Sequence, residues 1–482
     1  MNQKLYALKE KYSNMSLAVR AGFWFTICNF LQRGITMITT PVFTRIMPEE
    51  QYGLVSTFFS WQNVLTMIVS LSLYKAMMNL YVKHDNKEKV LSAVCGLTIL
   101  ISSIWFAAYL IFHGYISDLM EMSVPLTFCL FISIIFSSVI SCWSMYERYI
   151  YDYRRLIIVT LLITLLSSVL GVLSVIFISP SAESRLIPQT LVSVIVGIVV
   201  CFWVFKRDHT FYNKQMWVFS LTFCVPLLPH YLSEFVLQSS DRLMINYMCG
   251  SRDVAIYSIA YSVGSLITLV TSAINSSFAP FQYQKIQSKE YKKLAKAANE
   301  VLLFVGLALF ALMLFGREIV LIFGGVKYIE SIQVIIPICL GVYFNYLFQL
   351  FARVQEYYEH KLSVVIPSVL CAVLNIVLNF IFIRLCGYQA AAYTTFICYM
   401  VFCILHYFFY KRVCNRELGG VQLYNIKGII LISVLVIALG GIAAVLNEFI
   451  IVKYCVIAGC VILAICYRKR LMEYIKRILQ KK

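Results

Sequence analysis

Apolar residues run through this chain in continuous stretches of about 20 residues, the length an α-helix needs to cross the hydrocarbon of a bilayer, and short polar segments separate one stretch from the next. A transmembrane barrel would show alternating segments of about ten residues instead. The pattern predicts an all-α membrane protein of about fourteen transmembrane helices, the first near residues 21–41 and the last near 450–467. Composition agrees: 61% of the 482 residues are apolar or aromatic and 13% are charged, against about a quarter charged in soluble domains.

The net charge of +18 could suggest a nucleic-acid partner, but the basic residues sit in short clusters between apolar runs and so report topology. Of 41 Lys and Arg residues, 31 fall in the two tails and the loops on their side, and 8 on the other side. The positive-inside rule then places both termini in the cytoplasm. The first residues are polar and basic with no apolar signal region, and read as a retained cytoplasmic tail. The outer loops are short, the longest spanning 238–253, which leaves no room for an extracytoplasmic catalytic domain and argues against a glycan polymerase or ligase. The sixteen cysteines are scattered, mostly inside apolar runs, and form neither a CxxC pair nor a Cys/His cluster. They read as packing residues, with no metal and no cofactor implied.

A shift of 202 residues lays the segment from Ile46 onto that from Met248, pairing Ser56 with Ser258, Phe59 with Tyr261 and Ser60 with Ser262. The same shift maps span 1 on span 7 and span 2 on span 8, as parallel six-helix halves of a transporter would. The expected organisation is a six-helix lobe at 1–205, a basic cytoplasmic linker at 206–215, a second six-helix lobe at 216–410, and two further helices with a basic tail at 411–482.

Three stretches carry a family resemblance. Residues 226–263 hold a proline-broken seventh span, the pair Asp241 and Arg242, and a loop leading into a Tyr-Ser-containing eighth span. Residues 374–396 hold Asn375, Asn379, Gly387, the alanines 390 to 392 and Thr394, and 41–56 end the first span. Together they resemble the polysaccharide-transporter branch of the multidrug, oligosaccharidyl-lipid and polysaccharide exporter superfamily, the O-antigen and capsular repeat-unit flippases. Ala255 stands where such proteins usually have glycine before the Tyr-Ser pair. The resemblance implies two six-helix lobes working by alternating access in a bacterial cytoplasmic (inner) membrane. The substrate it implies is a short glycan on a polyprenyl pyrophosphate, with a glycan polymerase or glycosyltransferases as partners in surface polysaccharide synthesis.

A carrier of pyrophosphate and sugar needs a wet, polar and preferably cationic cavity, so charged residues inside the apolar runs are the candidates. Arg33 lies well inside span 1, where an Arg costs about 2.5–3.5 kcal/mol unless it faces protein or water. Two readings stand, a cavity-facing phosphate ligand and a structural ion pair with a carboxylate such as Glu234. In span 7, His230, Glu234 and Gln238 recur every four residues and share one face, just after Pro226 and Pro229 disturb the backbone. This stripe is a candidate cavity wall or gate. Glu234 is also a candidate proton carrier, because shielding from water raises a carboxylate pKa, or else a hydrogen-bonded structural group.

Asp241 and Arg242, at the outer end of that span, are assigned to a structural gate. Gln349, Arg353 and Glu356 share a face of span 10, where Arg353 is near enough to the interface to snorkel and Glu356 could simply pair with it. Lys75 and Arg353 are candidate phosphate contacts at the cytoplasmic mouth. Tyr257, Tyr261, Tyr343 and Tyr346 are candidates to line the cavity, offering sugars a stacking face and a hydroxyl.

No nucleotide-binding loop, metal motif or nucleophile constellation is present in the sequence. The leading expectation is a non-enzymatic flippase driven by an ion gradient (H⁺ or Na⁺) or by removal of product. A peptidoglycan-precursor flippase, a drug exporter and a non-transporting scaffold of a glycan assembly complex are the alternatives.

Overall fold

Helices form wherever the apolar runs leave the backbone no water to bond, and polar side chains stop them at the ends. In the computed structural model the described residues are 17–449, 451–455 and 458, with backbone but not side chains described at 17–19, 230, 276, 277 and 361. The order is α1 (Leu17–Ile46), α2 (Glu49–Ser70), α3 (Met77–Lys83), α4 (Lys87–Met120), α5 (Val124–Tyr149), α6 (Tyr153–Phe177), α7 (Ala182–Arg207), α8 (Lys214–Cys224), α9 (Leu228–Cys249), α10 (Ser251–Gln287), α11 (Tyr291–Leu314), α12 (Gly316–Phe323), α13 (Ile332–Tyr357), α14 (Lys361–Cys386), α15 (Gln389–Glu417) and α16 (Ile426–Glu448). Among the described residues there is no strand. Asn86, Asp152, Asn213 and Asn425 each cap the helix that follows, accepting the N–H three residues on, which satisfies a donor that the helix start leaves free.

Among the described residues ten helices are long and apolar enough to cross a membrane, and twelve spans result when two bent pairs are counted as one span each. The expected first span is α1, whose 30 residues reach about 45 Å at 1.5 Å per residue. It falls short of the other spans in apolar density because Asn29, Gln32 and Arg33 interrupt it. The expected fourteenth span, 450–467, lies almost wholly outside the described residues. The outer helices carry their apolar side chains outward. On α6, Ile158, Leu162, Leu166, Val169 and Phe177 are exposed, a face that water would not tolerate and lipid tails cover.

Both bends have local causes. Leu71 (φ 49°) and Ser72 (φ 51°) adopt the left-handed conformation and break the α2–α3 span by 55°. Pro226 lies in the 3₁₀ turn (Val225–Leu227) that breaks the α8–α9 span by 54°, and Pro229 follows in the first turn of α9. The two breaks touch, since the Cys224 thiol donates to the Ser72 carbonyl at 3.6 Å.

Adjacent helices run up and down, so the bundle has a terminal face, where α1 starts, and a distal face, where α1 ends. The helices that the 202-residue shift equates, α2 and α10, pack against each other. At the distal face the buried core is continuous: Phe43, Tyr52, Phe58, Leu126 and Leu186 share one cluster with Val254, Tyr257 and Tyr328. Toward the terminal face lies a separate cluster, built on Leu73, Tyr81, Val94, Trp143 and Val204 of the first half together with Met216 and Cys224 of α8. The cores of the two halves therefore merge at the distal end and separate toward the terminal end, where α8 crosses to pack on the first half.

Candidate functional site

A cavity of about 580 Å³ lies where α1 meets α10 and α13. Its walls are rich in hydroxyls, with Thr36 and Thr40 on α1 and Ser262, Ser265 and Thr268 on α10. These hydroxyls bond inside their own helices, as Thr40 does to the Thr36 carbonyl at 2.8 Å and Thr268 to the Ser265 carbonyl at 2.6 Å. Their donors are satisfied at no cost to the helix, and their oxygens still accept from the cavity. Arg33 is exposed to this space, and its Nη1 donates to Thr268 Oγ1 at 3.0 Å. Among the described residues Arg33 joins no ion pair, and no Asp or Glu lines this cavity. The pairing with Glu234 considered from sequence is not formed.

Tyr257, Tyr261 and Tyr346 line the same cavity. The Tyr346 hydroxyl belongs to a side chain only 2% exposed and has no hydrogen-bond partner among the described residues. Tyr343 lies elsewhere, its hydroxyl 3.1 Å from Ser433 Oγ beneath α16.

A second cavity of about 220 Å³ opens beside the first, between α9, α13, α14 and α15. Gln238, Asn345, Gln349 and Tyr399 border both. Glu234, Arg353 and Glu356 line the smaller one. Of the span-7 stripe, Glu234 and Gln238 are exposed on one side of α9, while the His230 side chain lies outside what is described. Lys75 sits in the 3₁₀ turn after α2, its ammonium 3.0 Å from the centroid of the Tyr231 ring and within electrostatic reach of Glu234. It lines neither cavity.

Arg353 departs from the snorkelling expectation. Its Nη2 donates to Asn275 Oδ1 at 2.6 Å and to Gln349 Oε1 at 3.4 Å, and its Nη1 reaches Gln282 Oε1 at 3.5 Å. The guanidinium thus turns into the protein, toward two amides of α10 that the sequence reading did not single out. Their seven-residue separation places Asn275 and Gln282 on one helix face, a pattern that could have flagged them.

Asp241 is 2% exposed and forms a hub. Its carboxylate accepts from the Tyr257 hydroxyl at 2.5 Å, from Asn379 Nδ2 at 2.7 Å and from the Thr395 hydroxyl at 2.8 Å. Asn375 extends the network, accepting from Ser240 Oγ at 2.9 Å and donating to Thr395 Oγ1 at 3.0 Å. Four helices, α9, α10, α14 and α15, are tied here. Arg242 is not paired with Asp241 and instead lies 4.3 Å from the centroid of the Tyr261 ring.

The distal face is closed by polar contacts between the halves. Thr57 donates to Asn246 Oδ1 at 3.2 Å, Asn246 to Glu121 at 2.7 Å and Arg252 to Glu49 at 2.8 Å, while Lys327 caps the Met47 carbonyl at 2.7 Å. Gly53 makes the tightest approach, since a Cβ there would stand 1.7 Å from the Ser251 carbonyl oxygen. No group of three or more His, Cys, Asp or Glu able to hold a metal occurs among the described residues.

A family model described as "Polysaccharide biosynthesis protein" matches residues 18–284, and one described as "MatE" matches residues 226–381. No curated protein sequence matches the chain significantly. Solved structures share the fold. A multidrug resistance MATE family transporter of the MOP superfamily, in an inward-facing conformation, superposes with a TM-score of 0.65 at 13% identity, covering 81% of this chain and 96% of its own. The lipid II flippase MurJ, in an inward closed conformation, superposes at 0.62 and 16% identity, covering 93% of this chain and 99% of its own. A MOP-superfamily transporter from Pyrococcus furiosus superposes at 0.57 and 13% identity, over 83% and 96%.

Proposed function

The chain belongs to the polysaccharide biosynthesis protein family, a multi-pass membrane transporter family of the MOP superfamily, and from that premise we propose that it flips polyprenyl-pyrophosphate-linked oligosaccharide repeat units across the bacterial cytoplasmic membrane. The observation that carries this reading is Arg33: a lone guanidinium in a hydroxyl-lined cavity of about 580 Å³ with no carboxylate in its walls. Such a group favours an anion, and a planar fork of donors suits a phosphate. The hydroxyls and tyrosines around it suit sugars, and the cores of the two halves, merged distally and parted toward the terminal face, suit the loading state of an alternating-access cycle.

With the termini in the cytoplasm, as the basic loops indicate, that parting faces the cytoplasm, where the lipid-linked unit is made. The protein performs no covalent chemistry in this reading. Arg33 holds the pyrophosphate, Gln238 and the cavity tyrosines hold the glycan, and the Asp241 hub keeps the second half rigid while the distal contacts open. An ion gradient of H⁺ or Na⁺, or capture of product by a polymerase, supplies direction.

The test is reconstitution into liposomes with a labelled polyprenyl-pyrophosphate oligosaccharide, following its appearance on the opposite leaflet. Transfer by the wild type that Arg33→Ala slows at least about tenfold, a loss of about 1.4 kcal/mol, supports the reading. No transfer, even with an imposed ion gradient, overturns it. Equal transfer of a peptidoglycan precursor would reassign the chain to another branch of the superfamily.

A further inference from the structure

The smaller cavity differs from the larger in charge. Glu234 and Glu356 both line it; Glu356 feels Arg353 as well as Glu234, and Glu234 lies within electrostatic reach of Lys75, but neither carboxylate is in an ion pair or hydrogen bond among the described residues. Arg353 also borders the chamber, but its guanidinium is held by Asn275, Gln349 and Gln282. What is left open to an occupant is therefore the acceptor capacity of two carboxylates, with Arg353 and Lys75 offsetting part of their charge from a distance. In a low-dielectric bundle carboxylates without a hydrogen-bond donor are costly, and a ligand rich in donors relieves that cost.

Part of the wall is aromatic. Phe348 and Phe402 have ring centroids 4.3 Å apart, and His406 packs on both at 5.2 and 4.6 Å. Carboxylates that accept from hydroxyls, in one chamber with rings that cover a C–H face, make a surface suited to a sugar ring. At about 220 Å³ the chamber is below the roughly 300 Å³ at which pockets for drug-sized ligands begin, so it suits one ring and not a chain.

We propose that this chamber is a subsite for a single sugar of the transported glycan, one that carries hydroxyls or an amine and no carboxylate. The inference rests on the flippase reading and narrows its substrate class. Because Gln238, Asn345, Gln349 and Tyr399 border both cavities, one ligand can place its pyrophosphate at Arg33 and a sugar between Glu234 and Glu356. A uronic acid in the chamber would bring a third negative charge against two, and like-charge juxtaposition is a strong device for rejecting a wrong ligand.

Binding of three short-chain polyprenyl pyrophosphates to the full-length protein in nanodiscs tests this: one without sugar, one bearing a neutral hexose, and one bearing the corresponding hexuronic acid. The neutral hexose lipid is expected to bind at least about tenfold tighter than the uronic one. In a Glu234→Gln, Glu356→Gln double variant the uronic lipid is expected to gain affinity, a result that misfolding cannot produce. Equal wild-type affinity for the two sugar lipids overturns the subsite while bare-lipid binding leaves the flippase reading standing. Failure of all three to bind overturns both.

Discussion

Asn379 donates from Nδ2 to Asp241 Oδ1 at 2.7 Å, joining α14 to α9 through a carboxylate that also holds Tyr257 of α10 and Thr395 of α15. A buried acceptor with three donors aimed at it is a fastener, and its removal strands all three donors in a place water does not reach. Asp241→Leu is expected to lower unfolding stability in detergent by about 3 kcal/mol, and Asn375→Leu by about 1–2 kcal/mol. Unfolding curves of the purified variants measure this; a wild-type curve for Asp241→Leu would show that the hub holds nothing together.

Arg33 makes the opposite prediction. Its one hydrogen bond among the described residues goes to an exposed threonine hydroxyl at 3.0 Å, so Arg33→Ala is expected to change stability by no more than about 0.5 kcal/mol while slowing transport at least about tenfold. Arg33→Lys is expected to fall between, since an ammonium keeps the charge and loses the fork. A variant that unfolds before it stops transporting would make Arg33 structural.

How far the sequence carried depended on whether the deciding interaction was local. The bend before the span-7 stripe was legible because Pro226 and Pro229 state their own consequence. The bend at Leu71 and Ser72 was not, since neither residue type favours the left-handed region, and the contacts that hold it, the Ser72 amide on the Ser70 hydroxyl and the Cys224 thiol on the Ser72 carbonyl, form only in the folded chain. Arg33 could be placed in a polar space because a bare guanidinium in lipid is expensive, but its partner Thr268 lies 235 residues away and no periodicity reveals it. For Arg353 the reasoning stopped at distance from the interface, and two amides on another helix decided the side chain's direction. Asp241, Asn375, Asn379 and Thr394 were each noticed through the family resemblance. That they converge on one network is a tertiary fact.

The turn between α10 and α11 carries a pH dependence. Glu290 is paired with Lys285 and with Lys293, the latter at 2.6 Å, and these two ammonium groups hold its carboxyl well below the usual range, at about 2. A carboxylate depressed in the folded state contributes stability that is complete above its unfolded value, near 4.3. That contribution is lost as pH falls toward 2. Hydrogen exchange of the amides around 288–294 is expected to show more frequent opening of this turn between about pH 5 and pH 2.5, and Glu290→Gln is expected to remove the dependence. Exchange in the variant that still follows pH as in the wild type would refute the assignment. Because the group is partly open to solvent, added salt should weaken the effect.

Closure of the distal face depends on a glycine. The α2 backbone lies so near α10 at Gly53 that a Cβ would meet the Ser251 carbonyl oxygen at 1.7 Å, and Ser251 is the first residue of α10, fixed by the turn at Gly250 with its φ of 95°. Neither backbone can yield without moving a whole helix. The surrounding bonds, Thr57 to Asn246 at 3.2 Å and Arg252 to Glu49 at 2.8 Å, require the same approach. Gly53→Val is therefore expected to hold the halves apart at this end. The readout is a single cysteine introduced at Ser272, which lines the main cavity, in a background freed of native cysteines, labelled by an impermeant maleimide from the distal side. Protection with Gly53 and rapid labelling with Gly53→Val, accompanied by at least about tenfold slower transport, is the expected result. Equal protection in both would mean that the distal contacts seal the cavity without the close approach at Gly53, and that this glycine is there for packing alone.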